Sequence, residues 1–596
     1  MSSRSGGWLG PPSDAATAHG VRPDADALSP AAGEASPPRL SLRHAETPPP
    51  PPLHGPHRGS DEDSAPLWRW ARIAVVAAVT FAVLTWISHA QWVGLISPSW
   101  DLGIFTQLAD AYAHLRAPIV PIKGEGYHLL GDHFHPILIA LGPIYRLAPS
   151  AFTLLVVQNA LFACTAGLVV RGCERRGYPI WVGLCLGLSA GLGWATQFAV
   201  AAEFHEVCAA LPWLTLALFA YLEDRPVAAA GWMAPLVFVK EDLGITVALF
   251  GLLIAARARS VARRAGSTHD GETDDAHATA RARATRLDPT TGQVAGVTLA
   301  AWGVIWSVLA IGVILPAFNV SGHYDYTGRL GLPLTDLLAP GPRWLLVGLL
   351  IVTAGGLGVL SPLAALMLPT LTWRFLGDVP FYWWIGWHYD AILMPIAIAA
   401  LLDGADRLAR LRGGAEARWK RRRITHSFRS GQAHANQRPL RPRAHPITQR
   451  SGLRAQPTLA LAVLINLSAT ALVAESLPIW ELSSAPDRPV GTTTAGARLD
   501  AAHDIMALVD AESAAAGRPI SVMSDLTLMA RLVPHARVYW VRETRVTPRL
   551  IVVDRYCRAW GKAYPEDIST WAAQRFGVTY DVIVEREGFQ VARRVS

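Results

Sequence analysis

Carboxylates, imidazoles and a lysine stand at the ends of long apolar runs in this chain. The clusters read Trp100-Asp101-Leu102-Gly103, Gly131-Asp132-His133-Phe134-His135-Pro136, Glu203-Phe204-His205-Glu206, Lys240-Glu241-Asp242 and His388-Tyr389-Asp390. A carboxylate so placed can take the proton of an attacking hydroxyl, and a nearby histidine or lysine can offset the charge on a departing anion. Ionisable residues at membrane depth are costly and usually face a cavity, a partner or a pathway.

Each cluster also has a structural reading. Asp101 suits an N-cap for an amphipathic surface helix over 102–115. Asp132 and His133 suit a helix cap beside an interfacial imidazole, and without nearby sulfur ligands a structural zinc is disfavoured. Glu203, His205 and Glu206 suit a solvated hairpin turn. Lys240, Glu241 and Asp242 interrupt the apolar stretch 227–256 and suit an ion pair, which need not stabilise even when buried. The rings Phe381, Tyr382, Trp383, Trp384 and Trp387 ahead of His388 and Tyr389 suit an aromatic belt, or a platform for a sugar ring or polyprenyl chain. The loop 319–329, with His323, Tyr324, Asp325, Tyr326 and Arg329, is a further candidate for substrate contact.

The elements that must position these groups are membrane helices. Of 596 residues, 51% are hydrophobic and only 17% charged, against about 25% charged in soluble domains. Several windows reach the ~20 apolar residues that cross a bilayer. Spans are expected at 72–94, 152–170, 179–201, 207–222, 227–239, 243–256, 294–317, 343–360, 361–376, 390–403 and 457–474. Residues 1–66, rich in Pro, Ala, Gly and Ser, read as a disordered cytoplasmic tail rather than a cleavable signal. The five cysteines have neither metal nor disulfide spacing and read as apolar packing residues.

Basic residues fix the sidedness. Residues 404–456 carry 14 Lys and Arg against Asp406 and Glu416, the loop 257–293 carries seven Arg, and 171–176 adds three. Short basic loops stay cytoplasmic, so the net charge of +8 does not point to nucleic acid. With an N-terminus inside and a C-terminus outside, 95–151 becomes one long outer loop. Within it, 134–149 is too short to span comfortably and reads as interfacial or re-entrant. Asp101, Asp132, His133, Glu203, His205, Lys240, Glu241, Asp242, His388 and Tyr389 then share the outer face.

Beyond 474 the pattern changes. Strand-like runs at 520–523, 538–541, 550–553, 581–585 and 589–592 alternate with helical windows near 500–514, 525–533 and 565–576. This predicts a small extracytoplasmic α/β domain over 475–596, with no Gly-rich phosphate loop.

Several ordered pieces resemble a family of polytopic prokaryotic membrane proteins known as a domain of unknown function. They are Trp100-Asp101-Leu102-Gly103-Ile104-Phe105, Asp132-His133-Phe134 with Pro136, Tyr145, Gln158, Glu203-Phe204-His205, Lys240-Glu241-Asp242 and His388-Tyr389. The resemblance covers roughly 70–400. That family in turn resembles the GT-C glycosyltransferases, which include protein mannosyltransferases and aminoarabinose transferases.

The resemblance implies a GT-C-like bundle over 67–403 and transfer from a polyprenyl-phosphate sugar to a cell-envelope acceptor. Asp101 takes the place of the essential acid in the first outer loop. His133, His205 and Lys240 become candidates for the leaving phosphate. Leu102 replaces the second acid of the GT-C pair, and Thr106 stands where another aspartate is common. Those departures leave open the acceptor and whether a divalent metal takes part. Two other classes remain: a secondary transporter coupled through Glu203, Lys240, Glu241 and Asp242, and a scaffold that binds envelope partners.

Overall fold

The computed structural model describes residues 65–267, 289–326, 328, 341–377, 379–429 and 451–595, apart from 544 and 562. The tail expected over 1–66, save its last two residues, lies outside these. So do Arg329 and most of the basic residues of 264–288 and 430–450.

Helices dominate, and their apolar composition places them. Among the described residues, five are long and apolar enough to cross a membrane: Leu67–Val93, Ala151–Arg175, Ile180–Ala201, Leu243–Arg263 and Pro289–Phe318. The other expected spans are shorter or broken. Pro226–Met233 tightens into a 3-10 turn over Ala234–Phe238, because Pro235 lacks the amide hydrogen that a continuing helix needs. The stretch 343–376 breaks after Pro342–Thr353 at Gly355 and Gly356, with φ of 61° and 67°. A side chain at Gly355 would begin 2.6 Å from the carbonyl oxygen of Ala462. Non-helical backbone at such depth is tolerable where protein covers it.

Helix Leu393–Arg429 runs unbroken into the first half of the basic stretch 404–456, carried by Ala, Leu and Arg, which favour helix. One expectation is corrected here. The helix after Asp101 is not a surface helix. Asp101–Ala113 buries Leu102 through Ala109, because other parts of the chain cover both its sides. The segment Pro136–Leu147 is short, a 3-10 turn followed by Leu141–Leu147, as Pro136 and Pro143 require.

Small residues bring two helices together beside the Lys240 cluster. Helix Leu243–Ser267 packs on Pro289–Leu309 so closely that a Cβ on Gly251 would meet the Gly296 oxygen at 2.5 Å. One on Gly303 would meet the Gly244 oxygen at 2.4 Å. Without a hydrophobic drive inside lipid, such close backbone approach supplies the packing.

The C-terminal region forms a five-stranded sheet in the order β2-β1-β3-β5-β4. Its strands are β1 (Ser521–Ser524), β2 (Arg537–Trp540), β3 (Leu550–Asp554), β4 (Tyr580–Arg586) and β5 (Phe589–Arg594). The first three run parallel and the last two antiparallel. Alternation sends Val522, Val538 and Val552 to one face and Met523, Ile551 and Val553 to the other. The first face joins the core of the helical bundle, while the second has a separate core under helix Ile568–Phe576.

The seam between the C-terminal region and residues 92–107 is specific. Gln107 Nε2 donates to the Val538 oxygen at 2.8 Å, and Trp100 meets Trp540 edge-on at 5.9 Å. Arg531 lies 3.6 Å over the Trp92 ring and donates to the Trp92 carbonyl.

Candidate functional site

Asp101 opens helix Asp101–Ala113, whose N-cap position is Trp100, with no side-chain cap. The carboxylate is therefore free of the capping role. Its Oδ2 accepts from Ser99 Oγ at 2.7 Å and faces His205 Nε2 at 3.5 Å. Burial alone would raise its pKa, but the hydrogen bond and charge of His205, then Ser99, hold it below the usual aspartate value.

His205 is fixed by its backbone. Its amide donates to Gln158 Oε1 at 3.1 Å, and its ring Nδ1 lies 3.3 Å from the Glu203 carbonyl. Its other nitrogen is thereby aimed at Asp101. The His205 ring stacks on His388 at 3.5 Å between centroids, and His388 in turn meets Tyr389 at 4.1 Å. Burial, then the neighbouring His205 and Lys240 charges, push the His388 pKa well below the ordinary histidine range.

Three acid–base pairs form the adjoining wall. Lys240 Nζ meets Glu206 Oε1 at 2.8 Å, both nearly buried. Glu241 accepts from His133 Nδ1 at 2.8 Å, from the Phe134 amide at 3.1 Å and from Tyr324 Oη at 2.9 Å. Ser307 Oγ donates to the Glu241 carbonyl at 3.1 Å, so the close helix pair described above also holds this corner. Asp132 binds Lys123 Nζ at 2.6 Å and Tyr326 Oη at 3.2 Å. Burial would raise Asp132, but His133 and Lys123 more than offset it and bring its pKa to about 2. Asp242 accepts from Trp373 Nε1 at 2.8 Å.

All these groups line one cavity of about 1340 Å³. Asp101, Asp132, His133, His205, Lys240, Glu241, Asp242, His388 and Tyr389 reach its surface, together with Glu206. Glu203 does not. It sits behind the wall, buried, in a left-handed conformation at φ 69°. Burial, then Asp101, raise its pKa well above normal. Asp390 is also withdrawn, paired at 2.6 Å with Arg374 where both side chains are fully buried.

The structure adds groups that sequence reasoning missed. Lys123 gave no signal, standing alone in a loop. Trp373 was absorbed into an apolar run. Arg488 and Arg558 reach the cavity from the C-terminal region, beyond the last expected span. His135 stands out in the sequence only by its spacing from His133, yet it lines the cavity, and burial takes its pKa down to about 4. Among the described residues no three His, Cys, Asp or Glu side chains converge as a metal-holding group.

A half-buried carboxylate beside an imidazole and a wall of charged pairs thus share one cavity with apolar side chains. Over residues 91–429 the chain matches the model of the family described as predicted membrane protein, DUF2079, and it belongs to that family. ArnT from Cupriavidus metallidurans, in a crystal structure bound to undecaprenyl phosphate, is similar at a TM-score of 0.43 and 13% identity. That likeness covers 89% of this chain and 99% of that one. No curated protein matches the chain.

Proposed function

We propose that this membrane protein transfers a sugar from a polyprenyl-phosphate donor to a cell-envelope acceptor on the outer face. One observation carries the reading: a single cavity joins the ionisable wall to apolar side chains at Ile245, Leu249, Ile311, Leu368 and Leu376. A ligand that fits both ends has an anionic or sugar head and a hydrocarbon tail. Leu368 and Ile245 are also exposed, which suits entry of such a tail from lipid.

In this mechanism the Asp101 carboxylate takes the acceptor's hydroxyl proton as its oxygen bonds to the anomeric carbon. The bond from that carbon to the donor phosphate breaks, and the phosphate leaves with the electron pair. Lys240, His133 and His205 stabilise the charge that collects on it. Arg488 and Arg558 add positive charge at the rim. The basic loops, read as cytoplasmic, put the N-terminus inside and the C-terminal region outside, where the cavity would meet its acceptor.

A second reading has its own support. The polar end holds Asp101, Asp132, Glu206, Glu241 and Asp242 against Lys123 and Lys240, and this acidic surplus suits a cation-coupled transporter. Lipid extracts of a deletion strain separate the two. A transferase leaves its polyprenyl-phosphate sugar accumulated, and wild-type protein, but not Asp101→Asn, clears it. Unchanged lipids, with cation uptake lost, would overturn the transferase and favour transport. Repeating the clearance in membranes treated with a chelator reads out metal dependence.

A further inference from the structure

A second cavity, of about 210 Å³, lies between helices Ala151–Arg175, Ala210–Leu222 and Pro226–Met233. Helix Ala151–Arg175 carries Gln158 at the candidate site and Arg171 at this cavity. At 1.5 Å rise per residue the two are separated by about 20 Å. The cavity is therefore remote from Asp101, at the arginine-rich end of the bundle.

Its charges do not balance. Glu223 accepts from Arg175 Nε and a terminal guanidinium nitrogen at 2.8 and 2.9 Å, and from Arg225 at 3.3 Å. One carboxylate thus serves two guanidinium groups. Arg171 also lines the cavity and has no hydrogen bond or ion pair among the described residues. Apart from Thr215, the remaining sides are apolar. Phe219 lies so close over Gly172 that a Cβ there would come within 2.3 Å of its ring. Trp232, partly exposed, packs on Trp213 at 5.6 Å. Tryptophan belongs at the boundary between headgroups and hydrocarbon.

We propose that this cavity holds the phosphate of an anionic phospholipid headgroup, with Arg171 as its main cation and Trp232 against the glycerol and upper chain. Basic pockets between membrane helices recognise anionic headgroups by this chemistry. A soluble phosphate would satisfy Arg171 but would gain nothing from the apolar walls. The site is independent of the transferase reading, and its occupancy needs no substrate.

Native mass spectrometry of the full-length protein tests this, using phosphatidylglycerol and phosphatidylcholine with the same acyl chains. Wild-type protein should retain phosphatidylglycerol in preference. Arg171→Gln should lower that preference about fivefold, the ratio expected for one basic residue at a membrane surface. Arg225→Gln, an exposed position, should lower it less and serves if Arg171→Gln folds poorly. Excess inorganic phosphate should leave the bound lipid in place. Equal retention of the two lipids overturns the proposal, as does a preference that survives both substitutions. Displacement by inorganic phosphate would assign the cavity to a soluble anion and equally overturn it.

Discussion

At the scale of single residues, Asp101 and Lys240 differ in what their substitution can reveal. Asp101 makes no capping bond, so Asp101→Asn should leave the helix intact and the protein at normal abundance. Clearance of donor lipid should fall about 10²-fold or more, the usual contribution of a general base. Normal clearance by this variant would remove Asp101 from the mechanism. Lys240 is bound to the nearly buried Glu206. Lys240→Met alone strands that carboxylate and should cost roughly 3–5 kcal/mol of stability, which obscures any effect on the donor. The pair Lys240→Met with Glu206→Gln should recover thermal stability while donor use stays weak. Recovery of both would make the pair structural.

At the scale of elements, the glycine-lined contact between Leu243–Ser267 and Pro289–Leu309 should tolerate no bulk. Gly251→Val should cost about 1–3 kcal/mol and, by moving Ser307, disturb Glu241. A thermal midpoint unchanged in detergent would show that the helices can part freely. Sidedness can be read with reporters fused after 130, 205 and 480, expected outside, and after 270 and 430, expected inside. A cytoplasmic signal at 205 would dissolve the shared outer face.

The elements also show what a sequence can convey. Strands β1 to β5 follow the alternation of Val, Ile and polar residues to within a residue or two, because local pattern governs them. The clusters at 101, 132–133, 205, 240–242 and 388–389 were legible because charge inside apolar runs needs an explanation. Their pairing was not, because it depends on how distant helices pack. Lys240 and Asp242 look like each other's partners in sequence, yet the structure pairs them with Glu206 and Trp373. Glu203 looked like part of the same polar turn as His205, but a left-handed backbone turns it behind the wall.

At the scale of the whole molecule, the C-terminal sheet has a core of its own and a free Cys557. Expressed as residues 485–596, it should unfold cooperatively, with or without reductant. Its stability should depend on Asp525, which follows β1 and caps helix Leu526–Leu532 through the Thr527 amide. Burial, then the nearby Asp554, raise the Asp525 pKa to about 7. The folded state therefore keeps a proton that the unfolded chain gives up above about pH 4. The stabilisation is complete below that pH, is lost as pH rises to about 7, and is flat beyond. Unfolding free energies from urea titrations at pH 5 and 8 should differ in that sense by a few kcal/mol, and Asp525→Asn should flatten the profile. A midpoint that rises with pH would contradict this environment for Asp525.

The bond from Gln107 to Val538 joins residues 431 positions apart. During synthesis at about 5–20 residues per second, the segment around Gln107 waits some 20–90 s for its partner strand. Through that interval Trp100 lacks the Trp540 ring that it later meets. The segment is thus exposed to proteases and to neighbouring chains for far longer than any helix hairpin of the bundle. Ribosome stalling or truncation ahead of residue 538 should leave an inserted bundle whose cavity has never closed on that side, a natural target for quality control at the membrane.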